Sequence, residues 1–202
     1  MPREIILMRH GQPKLVETDK VSALDMKDWI EHYDRSEITH HPAPHASQQL
    51  AATATVIVSS SAPRALASAQ ALGLEPSVID TLFCEAQLPY GRWKRPRLSP
   101  FTWAFILRVL WLCGYSRRVE SASAARVRAN RAAQRLLALA DNGPVLLLGH
   151  GWMNRMIAKQ LEAEGWTRQK RSGSQYWSAM VYQDSGQRSA SRTNLPTFPQ
   201  SL

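Results

Sequence analysis

The chain has 202 residues, 44% of them hydrophobic and 20% charged, with a formal net charge of +9; this excludes both a disordered polymer and a fibrous repeat. No internal repeat points to a solenoid or propeller, and Cys84 and Cys113 form neither a disulfide framework nor a CxxC or Cys/His cluster. The positive balance favours anionic partners, whether phosphorylated metabolites, nucleic acid or an acidic membrane surface, without choosing among them.

Residues 4–8 (EIILM) are a short apolar run that reads as a buried strand ending at Arg9-His10-Gly11. The run is too short for a signal-peptide core, so a cytoplasmic location is expected. A short helix is expected around 24–32, and the prolines of 40–45 make that stretch a loop. Its histidines His40, His41 and His45 lack the partners of a metal site, and a solvated loop is the expectation. Residues 46–54 read as a helix and 55–60 as a second strand. Pro63 opens an alanine-rich helix over 64–72, closed by Gly73, and 77–80 is a brief third strand.

The segment 92–120 is an insert of basic and aromatic residues around the apolar run 101–112. That run is too short to span a bilayer. A buried helix is one reading; a lid, or an interfacial helix making peripheral membrane contact, is the other. A long helix follows over 122–140, stopped by Asn142-Gly143-Pro144. Its arginines read as a charged face, because no nucleic-acid motif accompanies them. Residues 145–148 are a fourth strand ending at Gly149-His150-Gly151, and a helix is expected over 154–164. Strand–helix alternation with continuous apolar strands predicts an α/β fold, a mostly parallel sheet with helices on both faces. One domain is expected over 1–183, with a mobile tail of Ser, Gln, Arg, Pro and Thr over 184–202.

Three of these strands deliver polar residues at their C-terminal ends: Arg9 and His10, Arg64 shortly after the second, and His150. Ligands of open α/β sheets bind at that edge. Two histidines and two arginines there suit phosphoryl transfer. Arginine holds phosphate oxygens in a planar, permanently charged fork, and a neutral imidazole can attack phosphorus and carry the group. Nearby guanidinium groups keep such an imidazole neutral, and a carboxylic acid protonates the leaving oxygen.

The sequence resembles the histidine phosphatase superfamily, with its phosphoglycerate mutase-like three-layer fold. The resemblance rests on 7–13 (LMRHGQP), on 59–65 (SSSAPRA) and on 148–151 (LGHG), with a weaker match at Glu85, Gly91 and Trp93 and at Glu120-Ser121. It implies a nucleophile at His10, with Arg9, Arg64 and His150 holding the phosphate and Glu85 as general acid. Asp80 and Glu120 remain alternatives to Glu85. Gly11, Gln12, Gly151 and Trp152 are the expected substrate contacts; Gln12 and Pro13 stand where relatives often have Glu and Thr, and Trp152 where many have a small residue. No metal or organic cofactor is implied. The expected activity is hydrolysis of a small phosphomonoester with an apolar or polyanionic body. Mutase-type transfer and a non-catalytic phosphate-binding module are the alternatives.

Overall fold

The computed structural model describes residues 3–15, 19–173 and 175–184. Strands β1 (Glu4–Arg9), β2 (Val56–Ser59), β3 (Val78–Ile79) and β4 (Val145–Gly149) are joined by β5 (Trp166–Arg171) and β6 (Ala179–Asp184) in one sheet of order β3-β2-β4-β1-β6-β5. The four strands from β3 to β1 run parallel, and β6 pairs antiparallel with both β1 and β5.

Period-two alternation makes the layers. Ile5, Leu7, Val145 and Leu147 face the helices α5 (Ala122–Leu139) and α6 (Gly151–Ala163). Ile6, Met8, Leu146 and Leu148 point the other way, towards α2 (His45–Ala51) and α3 (Pro63–Ala71). Burial on both sides is why β1 and β4 read as unbroken apolar runs. Helix α5 lies close to the sheet because its inner face is Ala125, Ala129, Ala132 and Ala133, all fully buried at helical spacing. Ser121 caps that helix, its hydroxyl accepting the Ala124 N–H.

Beyond the C-terminal edge of the sheet, α1 (Met26–Arg35) and α4 (Pro100–Leu112) pack on each other through Met26, Trp29, Trp103 and Leu107. The insert is thus a helix with two faces. Trp103, Leu107 and Trp111 are buried at i, i+4 and i+8, while Phe101, Phe105, Val109 and Leu112 are exposed. The two tryptophans pin it down: Trp103 Nε1 donates to the Val21 carbonyl and Trp111 Nε1 to that of Glu120. Among the described residues, no helix is long and apolar enough to cross a membrane.

The hairpin β5–β6 was not visible in the sequence pattern. Strand β5 (WTRQKR) is an edge strand exposed from Thr167 onwards, so nothing forces apolar residues into alternation. Helix α6 starts at Gly151, directly at the strand end and three residues ahead of the expected 154. The tail beyond Asp184 lies outside the described residues.

Candidate active site

The ends of β1, β2 and β4 are laced together. The His10 N–H donates to the Gly149 carbonyl and the Ser60 N–H to that of Leu148, so the ladder fixes the backbone on either side of both histidines. Their rings lie 5.1 Å apart between centroids, and both are buried, His10 at 2% and His150 at 0% exposure.

The Nδ1 of His10 lies 2.7 Å from the carbonyl oxygen of Gly11. A carbonyl can only accept, so Nδ1 carries the hydrogen and Nε2 keeps its lone pair. Burial, then Arg64 and Arg9, push the pKa of this imidazole down to about 3, against the smaller upward pull of the Gly11 carbonyl. His150 is held well below its usual value by burial, Arg64, His10, Arg9 and Arg128, in that order. Both rings are neutral near pH 7. His150 Nε2 meets the Ser60 hydroxyl at 2.7 Å, and its buried Nδ1 has no hydrogen-bond partner among the described residues.

Arg64 follows the proline that opens α3. Its guanidinium is 3% exposed and reaches the carbonyls of Tyr33 and Asp34 and, at 3.1 Å, the Asp34 carboxylate. It therefore ties the floor of the site to α1. The Arg9 guanidinium stacks over Tyr176 at 4.5 Å, and a Cβ on Gly151 would sit 3.5 Å from Arg9 Nε. Gly11 is fixed by a different neighbour: a Cβ there would lie 2.6 Å from the Trp177 ring. Trp177 itself has φ +62°, a left-handed conformation that is strained for a bulky residue. That turn brings Tyr176 to 5.8 Å from the His10 ring.

Of the candidate acids, Glu85 sits at the N-terminus of α6. Its carboxylate accepts the N–H groups of Trp152 at 3.0 Å and Met153 at 2.8 Å and of Ala86 at 2.9 Å, an arrangement that fixes its orientation at the positive helix end. Glu120 also borders the cavity, held by Arg128 and the Gln87 N–H. Asp80 is engaged elsewhere, capping the turn at Leu82 and pairing with Arg135 at 2.8 Å.

A cavity of about 720 Å³ opens over this edge, bordered by Arg9, Arg64, Glu85, Glu120 and Trp152 on the sheet side and by α1 and α4 on the other. Arg9, Arg64, Glu85, Trp152 and Tyr176 border this cavity, whereas His10, His150, Gly11 and Gly151 are not among its lining residues. The two buried histidine rings lie 5.1 Å apart, His10 is 5.8 Å from the Tyr176 ring, and Gly151 lies against Arg9. Gln12 is not among the residues bordering the cavity; its side chain is exposed and its carbonyl accepts the Thr39 N–H. Asp80 likewise stays outside. Residues that motif reading missed are Tyr33 and Tyr176, whose ring faces carry the Arg64 and Arg9 guanidinium groups at 5.0 and 4.5 Å, Ser60 behind His150, and Arg108. Only the aromatic pair Tyr176-Trp177 in a short polar connection offered a signal.

Among solved structures, the chain is similar to a mycobacterial glucosyl-3-phosphoglycerate phosphatase, with 21% identity, TM-score 0.52 and 80% of each chain covered. It is similar to a phosphoserine phosphatase mutant from Entamoeba histolytica in complex with phosphoserine at 20% identity and TM-score 0.51, covering 79% of this chain and 80% of the other. A Thermus thermophilus protein, TTHB049, matches at 19% identity and TM-score 0.53, covering 88% and 92%. These likenesses establish a shared fold. No curated protein matches the sequence. The model of the histidine phosphatase superfamily (branch 1) matches residues 5–194, and the chain belongs to that superfamily.

Proposed function

We propose that the protein hydrolyses phosphomonoesters in two steps through a phosphohistidine on His10. The observation that carries this reading is the fixed tautomer of a neutral, buried imidazole: Nδ1 donates to the Gly11 carbonyl, so Nε2 is the nucleophile. Its lone pair attacks phosphorus as the ester P–O bond breaks, and the leaving oxygen takes a proton from the Glu85 carboxyl. Glu85, now a carboxylate, takes a proton from water as that water attacks phosphorus. The P–N bond breaks, releasing inorganic phosphate and restoring neutral His10.

Arg9 and Arg64 neutralise the phosphoryl oxygens. When the Ser60 hydroxyl donates to His150 Nε2, Nδ1 of His150 carries a hydrogen for a third phosphoryl oxygen. Gly11 and Gly151 let the Trp177 and Arg9 side chains approach, and Trp152 borders the space for the substrate's body. Gln12 receives no role. Superfamily membership and structural neighbours that include phosphatases support the reading.

The test is release of inorganic phosphate from a panel of phosphomonoesters, with His10→Ala as blank. Loss of the nucleophile is expected to lower kcat on the order of 10⁴-fold or more. No release above the blank with any ester overturns the proposal. Isomer formation without free phosphate would replace hydrolysis by mutase-type transfer.

A further inference from the structure

The cavity is far larger than a phosphoryl group needs, and its remaining surface is chemically one-sided. Away from the sheet edge it is walled by Trp29 and Ile30 of α1, Phe101 and Phe105 of α4, Leu88, and Trp152 of α6. Phe105 is 71% exposed and Phe101 47% exposed at its rim, so a ligand lying against them would remove apolar surface from water.

The charges in the same cavity argue against a second anionic group. Four arginines border it, Arg9, Arg64, Arg108 and Arg128, against Asp34, Glu85 and Glu120, a formal balance of one positive charge, or two when Glu85 is protonated as the acid. Arg64 pairs with Asp34 and Arg128 with Glu120. Arg108 spends its guanidinium on the carbonyls of Gln87 and Ala86 at 3.1 and 2.8 Å and on the faces of Trp111 and Trp152. Arg128 further donates to the carbonyls of Leu82, Cys84 and Glu85. The excess charge of the chain lies elsewhere, on exposed residues such as Arg92, Lys94, Arg95, Arg97, Arg117 and Arg118.

We infer that the substrate is the phosphomonoester of a hydrophobic alcohol, its phosphate held at the strand ends and its apolar body lying against Trp29, Phe101, Phe105 and Trp152. This rests on the phosphatase reading above and decides between the apolar and polyanionic bodies that the sequence left open. The apolar body is recognised by area removed from water, and the single phosphate by Arg9 and Arg64.

The experiment compares n-alkyl phosphates from ethyl to octyl, below micelle-forming concentrations, with glycerol 3-phosphate, glucose 6-phosphate and fructose 1,6-bisphosphate. All leave as alcohols of similar acidity, so kcat/KM reports the body rather than the chemistry. It is expected to rise with each methylene, up to about fourfold per step, chiefly through KM. The double variant Phe101→Ser, Phe105→Ser changes side chains that are 47% and 71% exposed, Phe101 meeting Trp29 edge-on at 5.7 Å. It should cut the octyl-over-ethyl preference at least tenfold while the protein still unfolds in one cooperative transition.

A flat chain-length series, or a bisphosphate turned over as well as octyl phosphate, overturns the inference while phosphate release still upholds the phosphatase. Calorimetry with octylphosphonate and ethylphosphonate, which cannot be hydrolysed, separates the two failures. Octylphosphonate binding at least tenfold tighter, with no ester turned over above the His10→Ala blank, would keep the apolar wall and overturn the hydrolytic reading. Equal binding of the two phosphonates overturns the wall.

Discussion

The two sides of the cavity are built on opposite principles. The floor is made of strand ends: His10, His150 and Arg64 are nearly inaccessible, the backbone N–H groups of His10 and Ser60 donate to the Gly149 and Leu148 carbonyls, and the Ser60 hydroxyl meets the His150 ring. The facing wall is a helix pair in which Trp29 is buried while Phe101 and Phe105 are 47% and 71% exposed. A phosphoryl group of fixed geometry calls for rigid, desolvated charge, because such charge stabilises a transition state only where water cannot screen it. A variable organic body calls only for removable surface. Floor variants should therefore scale turnover of every substrate alike, while wall variants should change the ratios between substrates.

Glu85→Gln gives the largest expected effect of the three that follow. It removes the proton donor and keeps one oxygen, which can hold the Met153 and Ala86 N–H groups that now meet Oε1 but gives up the Trp152 N–H that meets Oε2. A loss of about 10²–10⁴ in kcat is expected for alkyl phosphates. With p-nitrophenyl phosphate, whose leaving oxygen needs no proton, the loss should shrink markedly. Equal loss on both substrates would move Glu85 from acid to helix cap. Glu120→Gln is the control: it borders the same cavity but is occupied by Arg128, so a larger loss there would exchange the two roles.

Arg64→Met sharpens the contrast from the other end. Removing one transition-state donor is expected to cost about 10²–10³ in kcat, by the same factor for ethyl and octyl phosphates. Arg64 is also the second-largest cause, after burial, of the low pKa of His10. Its loss should move the acid limb of the kcat/KM profile upward from about 3 towards, but not to, the ordinary histidine value. An unshifted limb would mean that the limb belongs to another group.

The floor was legible in the sequence for a physical reason. The proposed phosphoryl transfer would demand particular residue types at strand ends, and buried strands advertise themselves as apolar runs, so Arg9-His10, Arg64 and His150 could be placed at strand ends from the sequence alone. The wall was not. Helix 101–112 is apolar all round, and its pattern could not say that Trp103, Leu107 and Trp111 face inward while Phe101 and Phe105 face the cavity mouth. Tyr176 was hidden for a third reason: it reaches His10 from the β5–β6 connection, whose edge strand carries no periodic signal. Gln12 is the solvent-facing member of its motif, with an exposed side chain beside the buried His10 and Gly11. The Gln12 carbonyl accepts the Thr39 N–H.

The smallest effect concerns stability rather than turnover. Keeping two neutral histidines in a cationic, desolvated floor makes the fold sensitive to acid. Above pH 6.5, the ordinary value, neither the folded nor the unfolded chain protonates them, and stability is full. Below it the unfolded chain takes up the proton that the folded chain refuses until about pH 3 at His10, and His150 is depressed in the same direction. His10 therefore costs about 1.4 kcal/mol of stability per pH unit as the pH falls through that window, and His150 acts in the same direction. Urea unfolding of the wild type and of His10→Asn at about pH 7, 5.5 and 4.5 isolates this contribution, because the carboxylates are common to both chains. The slope of stability against pH should be flatter in His10→Asn by about 1.4 kcal/mol per unit. Parallel slopes would mean that His10 is protonated in the folded protein at mildly acidic pH, and the imidazole would then enter the reaction as a cation that must first lose its proton.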